Sequence, residues 1–263
     1  MTGSTSAPKL ATAIAAGLLF TSIAATDAAV AEAAEIKVLT SVALTSAMDE
    51  LAPQFERTTG NKLSIGYSLI ADIKKRIIAG ETADVIMLSR PAMEDLQKQD
   101  KFASGSIVNV AGTPVAMAIR AGAPKPDISS ADALKASLLA AKSIVYSDPA
   151  KGGASGVYFA QVVERLGIAE QIKAKTILVP GAQAADVVAR GEAEIGVGQA
   201  SEIVPVTGAQ LLGPLPGEFA SVTLFTAGIG ASSKVPDAAK SLIQFLAGPA
   251  AAPVFKSKGF QPG

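Results

Sequence analysis

Residues 146 to 159, Tyr-Ser-Asp-Pro-Ala-Lys-Gly-Gly-Ala-Ser-Gly-Val-Tyr-Phe, carry an apolar strand (Ser143 to Tyr146) through a glycine-rich turn into an amphipathic helix. Gly152, Gly153 and Gly156 let the backbone turn sharply and approach a ligand closely, and the first N–H groups of a helix have no partner within it. Such a segment is an anion cradle. It is no Walker loop, because no Gly-Lys-Ser/Thr follows, and its glycine spacing is not that of a dinucleotide fingerprint. A second chemical candidate is Arg90, at the end of an apolar strand, where a guanidinium can hold a carboxylate bidentately or pair with Glu94 one turn further on. Other charged residues read as structural. Lys74, Lys75 and Arg76 form a solvated helix face, Asp84 satisfies backbone, Asp148 before Pro149 is a turn residue, and Tyr158 packs.

Composition narrows the chemistry further. The 263 residues include no histidine and no cysteine, so Ser-His-Asp and Cys-His nucleophiles, zinc sites and disulfides are excluded or strongly disfavoured. Any reaction must use carboxylates, Lys, Arg, Tyr or backbone, without metal or cofactor. Lysines and arginines balance aspartates and glutamates at 23 each, so no overall field draws the chain to nucleic acid or a membrane surface.

The chain opens with Lys9, an apolar run from Leu10 to about Ala25, and small residues through Ala33, the pattern of a cleavable export signal over 1–33. Ala29-Val30-Ala31 and Ala31-Glu32-Ala33 both fit the cleavage site. The apolar run is shorter than the roughly 20 residues a spanning helix needs, so no membrane insertion is expected. A lipid anchor would need a cysteine. Periplasmic location follows as the expectation.

The remaining chain alternates strand and helix. Glu35 to Ser41 reads as a buried strand, followed by a helix in which Leu44, Ala47, Met48, Leu51 and Phe55 recur at helical spacing until Gly60. Lys62 to Tyr67 is a second strand and Leu69 to Ala79 a second helix, with Ile70, Ile73 and Ile77 inward. Val85 to Leu88 is a third strand, with Ser89 placed to cap a helix carrying Pro91 in its first turn. Val115 to Arg120 is a strand that leads to the linker-like Ala121 to Pro126, where the first crossing between lobes is expected. Ser129 and Ser130 start a helix from Ala131 to Ala140. After the glycine turn come Thr176 to Val179, a helix from Ala182 to Arg190, and Ile195 to Gln199. Leu211 to Pro216, Ser221 to Gly228 and a helix from Pro236 to Leu246 complete the pattern, which argues α/β architecture with a mostly parallel sheet.

The order of these pieces resembles periplasmic solute-binding proteins of ABC importers, in the branch built like the molybdate-binding protein. The resemblance is carried by Val38-Leu39-Thr40-Ser41 with Leu44 to Met48, by Ile77 with Ala79 to Val85, and by Asp148-Pro149 with Ser155-Gly156-Val157-Tyr158. Val188 to Gly196 completes it. It implies a two-lobed type 2 periplasmic-binding-protein fold, a mixed and mostly parallel sheet in each lobe, and a ligand cleft between them. Lobe I is expected over 34–115 and 206–263, and lobe II over 116–205.

Molybdate-type sites of that branch use a serine in the first helix turn, serines after the second strand, and a tyrosine in the later lobe. The matching positions here are Ala43, Leu69 to Ala71, and Gln199, while Ser155 stands where the family has alanine. The resemblance therefore implies a site built from Ser41, Ala43, Ser68, Leu69, Arg90, Gly153, Ser155, Gly156, Gln199 and Ser201, with Glu202 just beyond. With its oxyanion hydroxyls gone and Val42, Leu69 and Ile70 nearby, such a site suits a small organic anion, a carboxylate, better than molybdate.

Two functions follow. One is a monomeric receptor that captures the anion and delivers it to an inner-membrane ABC permease. The other is an isomerase resembling aconitate isomerase, which belongs to the same branch; a cofactor-free 1,3-proton shift would use Glu202 as base and Arg90 as anchor.

Overall fold

The computed structural model describes residues 1–5 and 33–263, so the export signal expected over 1–33 lies almost entirely outside the described residues. Ala33–Gly263 form one unit. Strand β1 (Glu35–Ser41) leads through a 3₁₀ turn (Val42–Leu44) into α1 (Thr45–Thr59). The periodic Ala47, Met48, Leu51 and Phe55 are all buried, and Gly60 ends the helix at φ 79°. Next come β2 (Lys62–Ser68), α2 (Ile70–Ile78), β3 (Val85–Ser89) and α3 (Arg90–Gln97). Pro91 occupies the first turn of α3, but the hydroxyl of Ser89 makes no capping hydrogen bond.

Strand β4 (Val108–Arg120) begins well before the expected Val115. It is followed by α4 (Ala131–Ala140), which Ser130 caps by accepting the Ala133 N–H at 3.1 Å. The chain continues through β5 (Ile144–Ser147), α5 (Ala154–Arg165), α6 (Ala169–Lys173), β6 (Thr176–Val179), α7 (Ala184–Ala189), β7 (Ile195–Gln199) and α8 (Ala200–Ile203). It closes with β8 (Ala209–Pro214), β9 (Val222–Ile229), α9 (Pro236–Ala247), α10 (Ala252–Ser257) and β10 (Gln261–Pro262).

The strands run in the order β2-β1-β3-β9-β4-β7-β5-β6. The outer three on each side are parallel, as helical crossovers require, and β9 and β4 add antiparallel pairs between them, so each half is mixed. Strand β4 serves both halves. Its residues up to Pro114 pair with β9, and from Val115 onward it pairs with β7 and β8. Pro114 stands at the change of partner, where a residue without an N–H disturbs the ladder least.

Helices cover the sheet in both halves. Phe55, Met48 and Leu51 of α1 and Leu242 of α9 pack on one face of the first half, and Ile73 and Ile77 of α2 with Met93 and Leu96 of α3 pack in a second cluster. In the other half Leu134, Leu138 and Phe159 form the larger cluster, and Val187 and Val188 the smaller. Phe55, Phe159 and Phe225 are fully buried, each stabilising the fold by roughly 2–3 kcal/mol relative to exposure. These layers hold the C-terminal ends of β1, β2, β5 and β7 toward one place, the usual ligand site of open α/β sheets.

Candidate functional site

That place is a cavity between the two halves. The first half lines it with Ser41, Val42, Ala43, Leu69, Ile70 and Phe225, and the second with Ser147, Gly153, Ala154, Ser155, Gln199 and Glu202. Its volume is only about 10 Å³, room for about one water molecule, so the halves must part to admit anything larger. They meet closely beside it. A Cβ on Gly152, which has φ 75°, would lie 2.4 Å from Ala71 Cβ across the gap, and Ser46 Oγ donates to the Ser201 carbonyl at 3.5 Å.

Four helices begin at the cavity. The turn leading into α1 starts at Ser41, α2 follows Leu69, α5 follows Gly153, and α8 follows Gln199. Their free N–H groups and dipoles favour negative charge. Among the described residues, no lysine or arginine lines the wall.

The polar side chains differ in how they are held. Ser41 Oγ accepts its own Ala43 N–H at 3.3 Å, and Ser147 Oγ donates to the Gly181 carbonyl at 2.7 Å. Ser155 is 3 % exposed, in the first turn of α5. Gln199 is buried, and its Nε2 donates to Thr223 Oγ1 at 2.8 Å while its Oε1 has no partner among the described residues. Glu202 Oε2 accepts the Gln199 N–H at 3.0 Å. Burial pushes the Glu202 carboxyl up to about 7, against the smaller opposing pull of that N–H.

Of the residues expected to bind, Ser41, Ala43, Leu69, Gly153, Ser155 and Gln199 come together here, and Glu202 joins them. Four others do not line the wall. Arg90 donates from Nε to Glu94 Oε1 at 3.1 Å and from Nη1 to Asn109 Oδ1 at 3.3 Å, with its side chain 53 % exposed, so the helix-surface pairing is the one that forms. Ser68 donates to Asp72 Oδ2 at 3.3 Å. Gly156 serves packing: a Cβ there would lie 2.0 Å from the Ser147 carbonyl, so only glycine lets α5 rest on the end of β5. Ser201 is buried behind the wall, its N–H donating to Thr113 Oγ1 at 3.1 Å.

Ser147 and Phe225 are site residues that sequence reasoning passed over. Ser147 carried a usable signal, since it ends a strand immediately before the glycine turn; Phe225 carried none, because only the antiparallel return of β9 brings it there. The structural readings of Asp148, Tyr158 and Asp84 match their contacts. Asp148 Oδ1 accepts the Ala150 N–H at 2.9 Å, Tyr158 donates to the Phe219 carbonyl at 3.1 Å, and Asp84 accepts the Lys37 N–H at 2.9 Å.

With this geometry in hand, the likeness to known proteins is informative. Residues 36–261 match the family described as bacterial extracellular solute-binding protein. The chain belongs to that family. An aconitate isomerase from Pseudomonas sp is 36 % identical over 233 residues, covering 86 % of this chain and 87 % of that protein. The molybdate-binding protein ModA of Azotobacter vinelandii is 31 % identical over 260 residues, covering 96 % of each. The solved periplasmic molybdate-binding protein of Azotobacter vinelandii superposes with a TM-score of 0.72 at 21 % identity, covering 87 % of this chain and 99 % of that one. The chain thus sits in the molybdate-binding-protein-like branch of ABC-importer solute-binding proteins and has their two-lobed type 2 fold. Members of the family work outside the cytoplasm, and no helix among the described residues is long and apolar enough to cross a membrane.

Proposed function

We propose that this protein is a monomeric periplasmic receptor that captures a small carboxylate between two lobes and delivers it to an inner-membrane ABC permease; the second lobe runs past the expected boundary at 205, because β8, Leu215 and Phe219 pack with it. The observation that carries the reading is the cavity wall: the helix starts and Ser155 meet the charge, while Val42, Leu69, Ile70 and Phe225 meet a carbon skeleton. Molybdate fits poorly, because Ala43, Leu69 and Gln199 occupy positions where its receptors carry hydroxyls. Opening and closing about the two crossings, one within β4 at Pro114 and one between β8 and β9, would admit and enclose the ligand. The test is a thermal-shift and calorimetric screen of di- and tricarboxylates, sulfonates and oxyanions. A carboxylate should raise Tm and be recovered unchanged; if no small anion does so, the reading fails.

A second reading is favoured by one specific observation, the half-buried carboxyl of Glu202, which desolvation on the cavity wall pushes up to about 7, together with the 36 % identical aconitate isomerase. In it, Glu202 takes a proton from a carbon next to a carboxylate, the electron pair moves into the carboxylate and across the adjacent double bond, and the proton returns two carbons away. Helix N–H groups would stabilise the enediolate. Arg90 has no part in this version, since its guanidinium is engaged by Glu94 and Asn109 outside the cavity. Incubating the protein with cis- or trans-aconitate in D₂O and following both by NMR decides: interconversion with deuterium incorporation supports the isomerase, and unchanged spectra at high protein concentration remove it.

A further inference from the structure

Two acceptors stand together on a wall otherwise suited to a bare anion. Gln199 is 1 % exposed; its Nε2 donates to Thr223 Oγ1, and its Oε1, which faces the Glu202 N–H in a capping box at the start of α8, makes no full hydrogen bond. A buried acceptor in that state costs about 1–3 kcal/mol, which a ligand bringing a donor would recover. Glu202 keeps one oxygen on the Gln199 N–H, and its other oxygen bonds nothing among the described residues. An ionised carboxylate with a free oxygen repels any anion placed at the nearby helix starts, whereas the protonated acid donates to it.

Resting on the carboxylate reading above, we infer that Gln199 and Glu202 form a proton-sharing subsite, which selects anions of weak acids, polycarboxylates above all, over fully ionised oxyanions such as sulfate. A polycarboxylate can bring a proton on one of its acid groups, which Gln199 Oε1 or Glu202 accepts, or it can accept one from Glu202. Sulfate at neutral pH has no proton to bring and is a poor base.

The subsite is isolated from other charges. The elements packed against α8 are β4, β7, β8, α7 and the turn after β1, with Ser46 of α1 reaching the Ser201 carbonyl and Gly259 set against Ala200. Of the charged residues on these segments, Arg120 in β4, Asp186 in α7, Asp49, Glu50, Glu56 and Arg57 in α1, and Lys258 beside Gly259, none lines the cavity, and Lys258 pairs with Glu50 at 3.1 Å. Glu202 is the sole titratable group on the wall, and the influences on it are burial and the Gln199 N–H. Desolvation already holds the Glu202 carboxyl up to about 7, and an anion arriving beside it raises its proton affinity further. Binding then takes up a proton above that pH, and the association constant falls about tenfold per pH unit.

The experiment is isothermal titration calorimetry of the protein with citrate and with sulfate at pH 6 and pH 8, each in two buffers of different ionisation heat. Citrate should bind at least tenfold tighter than sulfate, with uptake approaching one proton per citrate at pH 8. Glu202→Gln, which keeps an oxygen for the Gln199 N–H and cannot ionise, should abolish the uptake and close the gap between citrate and sulfate by tenfold or more. Citrate binding by the unaltered protein without proton uptake, and no tighter than sulfate, overturns the inference while leaving the cleft as an anion site. If neither ion binds at either pH, the anion-site reading itself falls, and this inference with it.

Discussion

The two halves of the molecule present the same local design to the cavity, a strand ending where a helix begins, yet they furnish it differently. The first half offers Val42, Ala43, Leu69, Ile70 and Phe225, and its one hydroxyl, Ser41, is turned back onto its own backbone. The second offers Ser147, Ser155, Gln199 and Glu202. Topology alone therefore places helix N-termini on both sides, while the side chains assign shape to one side and chemistry to the other. The division also explains how the wall tolerates a carboxyl near neutrality. With no cation opposite, burial decides its protonation.

Substitutions in the second half should carry the large effects. Gly156→Val should be the most damaging, because its Cβ falls on the Ser147 carbonyl, a backbone atom that cannot yield without separating α5 from β5. A loss of about 3 kcal/mol or more in urea unfolding is expected. A small effect would mean that the glycine turn is not wedged against β5 as described.

Glu202 should impose the next largest effect, and one that depends on pH. Its carboxyl is raised from 4.5 to about 7 on folding, so between those values the folded chain keeps a proton that the unfolded chain has lost. Stability from this group is full below pH 4.5, declines between 4.5 and 7, and is lost above 7, by roughly 3 kcal/mol in all. Glu202→Gln should flatten that slope in unfolding titrations. An unchanged slope would return Glu202 to the role of an ordinary helix-start residue.

Ser155→Ala should cost about tenfold in carboxylate affinity with little change in Tm, since alanine suits the first turn of α5. Calorimetry alongside a melting curve separates the two. Arg90→Ala should do least: its exposed pair with Glu94 is worth under ~0.5 kcal/mol, and ligand affinity should not move. A tenfold loss of affinity in that variant would place a cation in the first half and break the contrast between the halves.

Much of the fold was legible because periodicity reports burial. Ala47, Met48, Leu51 and Phe55 name the inner face of α1, and Ile73 and Ile77 that of α2, without any tertiary knowledge. The first half of β4 was not legible, since Val108 to Pro114 contains Asn109, Gly112 and Pro114, residues that strands disfavour and that pairing with β9 overrides. Helix α10 and strand β10 were missed for a related reason. They are short, and their stability comes from packing such as Phe255 against Phe260, with ring centroids 5.3 Å apart.

The site divides along the same line. Helix starts are local, so the glycine turn, the Leu69 turn and the Ser41 turn could be read as candidate anion cradles from residue types alone. Whether a long side chain reaches the cavity is not local. Arg90 and Glu202 each follow a strand closely; sequence supplies Arg90 with a structural partner and a functional role, and Glu202 with a functional role alone. For Arg90 the choice fell to Glu94 and Asn109 on the surface, and for Glu202 to the cavity wall. The amino-acid order determined the family, the alternation of strand and helix, and the places where helices begin, because these depend on neighbours a few residues apart. The tertiary structure decided which polar groups share one enclosed space and which protonation state that space favours, because desolvation depends on atoms brought in from distant parts of the chain.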